Sequence, residues 1–105
     1  MPQSTHLNPG SITTFTVVSV LSTGTGTAVL AANPSRKSAF FQNLGSNLIT
    51  LGPDNAGMWA PATGTGIQIS GGQTPPTSIT DLTSKDAWRA IATTGTTSLL
   101  VMEIQ

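Results

Sequence analysis

A chain of 105 residues is long enough for one domain with a single hydrophobic core. It carries only four basic and four acidic residues, 8% of the total, where an average protein has about 25%. Charge this sparse and balanced excludes a nucleic-acid partner from our expectations, because phosphate binding needs clustered Lys and Arg.

The first residues predict an extended N-terminal arm over residues 1–11. Pro2, Asn8, Pro9 and Gly10 disfavour regular structure there. We expect no secretory leader, because the arm lacks a basic segment followed by an apolar one. No apolar run reaches the ~20 residues of a membrane span, so no membrane partner is expected.

The rest of the chain, residues 12–105, predicts a single β domain. β-branched and aromatic residues fall into short runs separated by Gly, Pro, Asn and Ser, whereas apolar residues at helical spacing are missing. The predicted strands are Ile12–Leu21, Thr27–Ala31, Arg36–Asn43, Leu48–Gly52, Ile67–Ser70, Asp86–Thr93 and Leu99–Ile104, and Ser78–Leu82 is either a short strand or an extended segment. Seven or eight short strands predict an antiparallel β-sandwich or a jelly-roll-like barrel, with an immunoglobulin-like topology also open.

Two short turns predict hairpins. Leu44–Asn47 would join the third and fourth strands, and Thr94–Thr96 would join the last two. On the last strand, Leu100, Met102 and Ile104 share a face, which we expect to point into the core. On the first strand, apolar residues occupy both faces, which is typical of a sandwich strand or of a subunit contact.

The residues that catalysis requires are nearly missing, and we predict that the protein is not an enzyme. His6 is the only histidine and lies in the arm, which leaves no Ser-His-Asp constellation. Asp81 and Asp86 fit a turn better than an acid–base pair. Asp54 and Asn55 lack the spacing of a calcium loop, so we expect neither metal nor cofactor.

Two segments remain as candidates for partner contacts. The uncharged arm offers Thr5, His6 and Leu7, which can lie along a neighbouring subunit. The long loop from Pro53 to Gly66 offers Met58 and Trp59, where Trp59 either folds back onto the domain as a lid or anchors a partner. Trp88, in a predicted strand, is expected in the core.

Three segments carry a resemblance to a known family: RKSAFFQNLGSNLITLG, GIQISGG and AWRAIATTGTTSLLVMEIQ. Together they resemble a small β-sandwich module of tailed-bacteriophage virion proteins, and the likeness spans Ala32 to Gln105. The matching positions are Arg36, Phe41, Gln42, Asn43, Gly52, Gly71, Gly72, Trp88, Ala90, Gly95, Val101 and Glu103.

The resemblance implies a structural virion protein assembled in the host cytoplasm. A capsid decoration (cement) protein is the first expectation, with the major capsid protein and copies of itself, as a trimer, for partners. A tail, neck or fibre component and a β-sandwich that binds host glycans through Trp59 remain alternatives. The resemblance implies no catalytic site.

Overall fold

The structure, a computed structural model, describes residues 11–54, 59–62, 64–81 and 84–105. Within these ranges the chain forms eight strands and no helix, which confirms the predicted all-β fold. The strands are β1 (Ile12–Leu21), β2 (Thr27–Leu30), β3 (Ser38–Asn43), β4 (Ile49–Pro53), β5 (Ile67–Ile69), β6 (Ser78–Asp81), β7 (Trp88–Ala92) and β8 (Thr96–Ile104).

The strands form two four-stranded antiparallel sheets. The first has the order β1-β8-β3-β6 and the second has the order β2-β7-β4-β5. Within them β1 pairs with β8, β2 with β7, β3 with β6 and β4 with β5. These four pairs are nested in the sequence and lie in two facing sheets, which is the arrangement of a jelly roll. Of the topologies that the sequence left open, the structure therefore has the jelly roll.

The core lies between the two sheets. Phe41 of the first sheet and Trp88 of the second contact each other edge to face, with ring centroids 6.0 Å apart and an interplanar angle of 63°. Such a pair adds about 0.5–1.5 kcal/mol beyond the burial of its area. Aliphatic side chains from both sheets surround the two rings. The prediction that Trp88 belongs to the core is confirmed.

The predicted hairpin between the third and fourth strands is wrong. β3 belongs to the first sheet and β4 to the second, so residues 44–48 carry the chain from one sheet to the other. Asn43 holds this crossing: its amide donates to the carbonyls of Asn47 at 2.8 Å and Ile69 at 2.9 Å, and its oxygen accepts from the Gly45 N–H at 2.9 Å. A short Gly/Ser/Asn turn suits both a hairpin within one sheet and a crossing between two sheets. The contacts that decide between the two come from residues distant in sequence, such as Ile69.

The predicted final hairpin is also wrong. β7 pairs with β2 and β4, whereas β8 pairs with β1 and β3. Residues 93–95 therefore also carry the chain from one sheet to the other, and Gly95 adopts the left-handed region there with φ of 56°. The inward side chains of β7 and β8 face each other across the core, so the two strands lie in different sheets. Each of them therefore pairs with strands from other parts of the sequence.

The expected orientation of the last strand is inverted. Leu99 and Val101 are fully buried in the core, whereas Leu100, Met102 and Ile104 are half-buried on the outer face of the first sheet. The alternation itself was predicted, but β8 is apolar on both sides, and the pattern alone does not tell which side points inward. Glu103 lies on the inner side, where a buried ion pair accommodates its charge.

The edge strands of the two sheets differ in length. β2, β5 and β6 have only four, three and four residues, whereas β1 has ten and contains no charged residue, Pro or Gly. β1 pairs with β8 on one side, and among the described strands none pairs with its other side. Long open edges of this kind are uncommon in monomeric proteins because they invite pairing with another chain.

Candidate functional site

The outer face of the first sheet carries a contiguous apolar surface. Residues paired across antiparallel strands point to the same side of a sheet. The register therefore places Phe15, Met102 and Phe40 in one row, and Val17 beside Leu100 in the next. The surface, called the outer patch below, consists of Ile12, Phe15, Val17, Phe40, Leu100, Met102 and Ile104.

The outer patch is exposed mainly along β1. Ile12 is 60% exposed, Phe15 is 68% exposed and Val17 is 54% exposed. None of the described strand residues of this face is charged. Around the outer patch the face carries Leu21, which is 44% exposed, and uncharged polar residues, namely Ser19, Ser38, Gln42, Ser78, Thr80, Thr96 and Ser98. Contiguous apolar patches of this type usually mark an interaction surface.

The chain itself covers part of the outer face of the second sheet. Thr50 and Gly52 point outward from β4, yet both are buried. A Cβ built on Gly52 would lie 2.2 to 2.7 Å from three ring atoms of Trp59, so the indole ring rests directly on this glycine. The Trp59 ring nitrogen donates a hydrogen bond to the Thr65 carbonyl, which keeps the ring in place.

The partner-contact residues predicted from sequence occupy different places. Trp59 is half-buried over Gly52, which is the folded-back alternative of the two that we considered. Thr5, His6, Leu7 and Met58 lie outside the described residues.

Ser11, the last residue of the predicted arm, exchanges two backbone hydrogen bonds with Gln105. The N–H of each residue donates to the carbonyl of the other, at 2.7 and 2.8 Å. Any arm formed by residues 1–10 therefore starts at a fixed point beside the end of β8.

An ion pair between Arg36 and Glu103 lies in the interior at one end of the first sheet. Arg36 Nε donates to Glu103 Oε2 at 2.8 Å, and the Arg36 side chain is completely buried. Its other nitrogens donate to the carbonyls of Ala31, Ser84 and Asp86. The guanidinium thereby ties the segments before β3 and β7 to β8.

β1 is attached to the same carboxylate. Thr13 Oγ1 donates to Glu103 Oε1 at 2.9 Å and Thr14 Oγ1 donates to the same oxygen at 3.3 Å. Two adjacent residues of a strand reach one carboxylate because the register of β1 shifts between Ile12 and Thr14. The strand that carries the most exposed residues of the outer patch is therefore held in register by a buried charge.

The pKa of the Glu103 carboxyl lies below its usual range. Burial raises this pKa, but hydrogen bonds from Arg36, Thr13 and Asn33 and the positive charge of Arg36 together lower it by more. Glu103 is therefore ionised at neutral pH, and its charge serves the fold.

The remaining carboxylates do not assemble into a catalytic or metal site. Asp54 pairs with Arg89 at 3.2 Å on the surface, and Asp86 is exposed. Asp81 ends strand β6 and pairs in register with Ala39, so it does not lie in the turn predicted for it. Among the residues that the structure describes, no three His, Cys, Asp or Glu side chains come close enough to hold a metal ion.

An open groove of about 530 Å³ runs between the β1 and β2 edges. Thr14 and Asp54 are its polar lining residues, and aliphatic side chains and alanines form the remainder. Asp54 is already paired with Arg89, which leaves this groove without a set of converging polar groups.

The chain was compared with protein-family models, with curated proteins and with solved structures, and none of them matches it. No helix in the described ranges is long and apolar enough to cross a membrane.

The outer patch is the main feature that the sequence analysis did not single out as a site. Its signal was present in Ile12–Leu21, where apolar residues occupy both faces of one strand. The β8 residues of the outer patch were missed, because Leu100, Met102 and Ile104 were assigned to the core. Only the pairing of β1, β8 and β3 brings these residues onto one surface.

Proposed function

We propose that this chain is a structural virion protein, a capsid decoration protein of a tailed bacteriophage. It binds the outer surface of the phage head and bridges neighbouring capsid subunits, so that the shell resists the pressure of packaged DNA. Its partners are the major capsid protein and further copies of itself, with a trimer as the assembly that the sequence resemblance implies.

The observation that carries the proposal is the outer patch. An apolar, uncharged sheet face is costly to leave in water and contains no group that processes a substrate. Such a face becomes stable when protein subunits cover it. A chain with so few charges also has little electrostatic repulsion to keep copies apart.

Fold-level analogy supports the same class of function. Jelly rolls are found in viral capsid proteins and also in lectins. Since one fold hosts many functions, this analogy adds weight only beside the outer patch and the sequence resemblance.

Bridging would work through many weak contacts. Once one contact of a copy is made, the next forms at a high effective concentration, so a closed lattice of copies holds more firmly than any single contact. Residues 1–11, with Thr5, His6 and Leu7, are our first candidates for reaching a neighbouring subunit. Met58 and the exposed side of Trp59, whose other side rests on Gly52, are the second candidates.

A reconstitution experiment tests this proposal. Purified protein is added to phage heads that lack it, and bound copies are counted by cryo-electron microscopy and mass spectrometry. We expect copies in a regular lattice on the head and an increased temperature of shell rupture. A chain that lacks residues 1–10 keeps Ser11 and its hydrogen bonds to Gln105, so it should fold normally but fail to attach.

Two results would contradict the proposal. One is a virion that contains no copies, and the other is attachment that does not change when residues 1–10 are removed. A few copies confined to the tail or neck would instead support the adaptor alternative. Titration with host glycans tests recognition, for which a fluorescence change that disappears in Trp59→Phe is the required signature.

A further inference from the structure

We infer that the outer patch on β1, β8 and β3 is the surface on which a second copy of this chain docks. This inference rests on the self-association of the chain that the proposed function includes. It deepens that function because it assigns the contact between copies to particular residues. The described residues that border the patch leave Phe15 and Val17 open to solvent.

The size of the face fits a protein–protein contact. The strands of this sheet have ten, nine, six and four residues, and at a rise of about 3.4 Å per residue and a spacing of about 4.8 Å they cover on the order of 470 Å². A standard interface buries about 800 Å² on each partner, so the face supplies more than half of such an interface and side chains at its rim supply the remainder.

The charge pattern favours a second copy as the occupant. None of the described strand residues on this face is charged, so two copies can approach without repulsion between like charges. A partner with a charged surface would lose hydration of its ions and find no counter-charge here. Two such faces would instead pack as the two sheets of a sandwich do, with apolar side chains between them. A contact of this kind uses the same surface on both copies, so it joins copies in pairs and is a different contact from the one that would build the trimer implied by the sequence resemblance.

The N-terminal residues of the same chain are a poorer match for the patch. Residues 1–10 contain Met1 and Leu7 as their only large apolar side chains other than proline. Seven apolar side chains form the patch, so this segment has too few to cover it.

The test uses the full chain with Phe15→Thr and Val17→Thr combined. Thr keeps the β-branched character that suits a strand while it removes apolar surface. The matched control is Ile67→Thr, because this side chain is 44% exposed and lies on β5 of the second sheet, away from the patch. Mass is measured by light scattering after size exclusion and by sedimentation equilibrium.

We expect the unmodified chain and the control to be oligomers of the same mass, and the double variant to be a monomer with an unchanged circular dichroism spectrum. If the double variant fails to fold, Val17→Thr alone provides the test, with an expected weakening of association of at least about tenfold. Methyl resonances of Val17, Leu100 and Met102 in the unmodified chain should also shift on dilution.

Two outcomes would overturn the inference. One is an unmodified chain that stays monomeric at high concentration, and the other is self-association that is equally strong in the double variant. If that variant in addition no longer attaches to heads, the patch is the contact with the capsid subunit. Self-association through the patch in a protein that is missing from virions would leave this inference standing and reject only the proposed function.

Discussion

Arg36 and Glu103 are two of only eight charged residues in this chain, and the fold places both in its interior. Burying a charge costs several kcal/mol unless hydrogen bonds replace the lost water. Arg36 meets this condition, since Glu103 and three backbone carbonyls accept from it.

Glu103→Gln should be among the most destabilising conservative substitutions. It leaves the Arg36 charge buried without a counter-charge, and removing one partner of such a pair costs about 3–5 kcal/mol. Urea denaturation measures the loss of unfolding free energy. The control is Asp54→Asn, which breaks the exposed pair with Arg89 and should cost less than about 1 kcal/mol. Equal losses in the two variants would contradict the structural role given to Glu103.

The lowered pKa of Glu103 predicts how stability depends on pH. A carboxyl group whose pKa is lower in the folded state binds fewer protons there than in the unfolded chain. Its stabilisation is therefore complete above the unfolded pKa of about 4.3 and is lost as the pH falls through the lowered folded value. Urea midpoints measured from neutral pH to acid should decline in this window. The decline should be smaller in Glu103→Gln, and equal slopes would contradict the assignment.

At the scale of strands, the sequence predicted where the elements lie but not how they connect. Seven of the eight strands were identified from runs of β-branched and aromatic residues, and β6 was predicted as either a short strand or an extended segment. The two turns that looked like hairpins instead cross between sheets, because local turn chemistry is the same for both. The contacts that fix the crossing, such as Asn43 to Ile69, join residues far apart in sequence.

For the candidate site too, the sequence predicted the strands but not their neighbours in the sheet. A strand with apolar residues on both faces was visible in Ile12–Leu21, and it indicated either a core strand or a subunit contact. Whether β1 is a core strand or a subunit contact depends on its neighbours in the sheet, and the strand register shows which neighbours it has. The inverted orientation of β8 had a similar cause, because the buried partner of Glu103 lies 67 positions away in the sequence.

The fit between Gly52 and Trp59 predicts a non-additive pair of substitutions. Gly52→Ala places a methyl group inside the ring of Trp59, so the loop must move, at a cost of about 1–3 kcal/mol. In a Trp59→Ala background the same methyl has room, and the added cost should fall below about 0.5 kcal/mol. Urea denaturation of the four proteins of this cycle gives the coupling energy.

Tryptophan fluorescence gives a second test of the contact between Trp59 and Gly52. Acrylamide quenching of tryptophan fluorescence should increase in Gly52→Ala, since Trp88 stays buried and Trp59 becomes the accessible indole. Additive stabilities and unchanged quenching would together show that Trp59 does not rest on Gly52.

The molecule as a whole is a nearly uncharged jelly roll whose two outer faces differ. Trp59 and its loop cover part of the second sheet, whereas the outer patch on the first sheet has no cover among the described residues. This asymmetry gives the molecule one face suited to contact with other subunits. The proposed assembly therefore depends on apolar burial and very little on charge.

An assembly held by apolar burial should respond weakly to simple salt. Between about 50 mM and about 500 mM NaCl, screening removes attraction between exposed charges. We expect the dissociation constant of self-association to change by less than about twofold over this range, while ammonium sulfate tightens it. Sedimentation equilibrium measures both effects. A steep weakening with NaCl would show that ion pairs hold the copies together.

The open side of β1 has a consequence for the protein before it is assembled. Ten uncharged residues expose a row of backbone donors and acceptors, and nothing in their side chains discourages a further strand from joining. Copies produced in excess of their binding sites would be able to add the β1 edge of one copy to the β6 edge of the next, and fibrous aggregates would follow. Thioflavin fluorescence that rises with concentration and falls when Thr16→Lys places a charge on this edge would reveal that hazard.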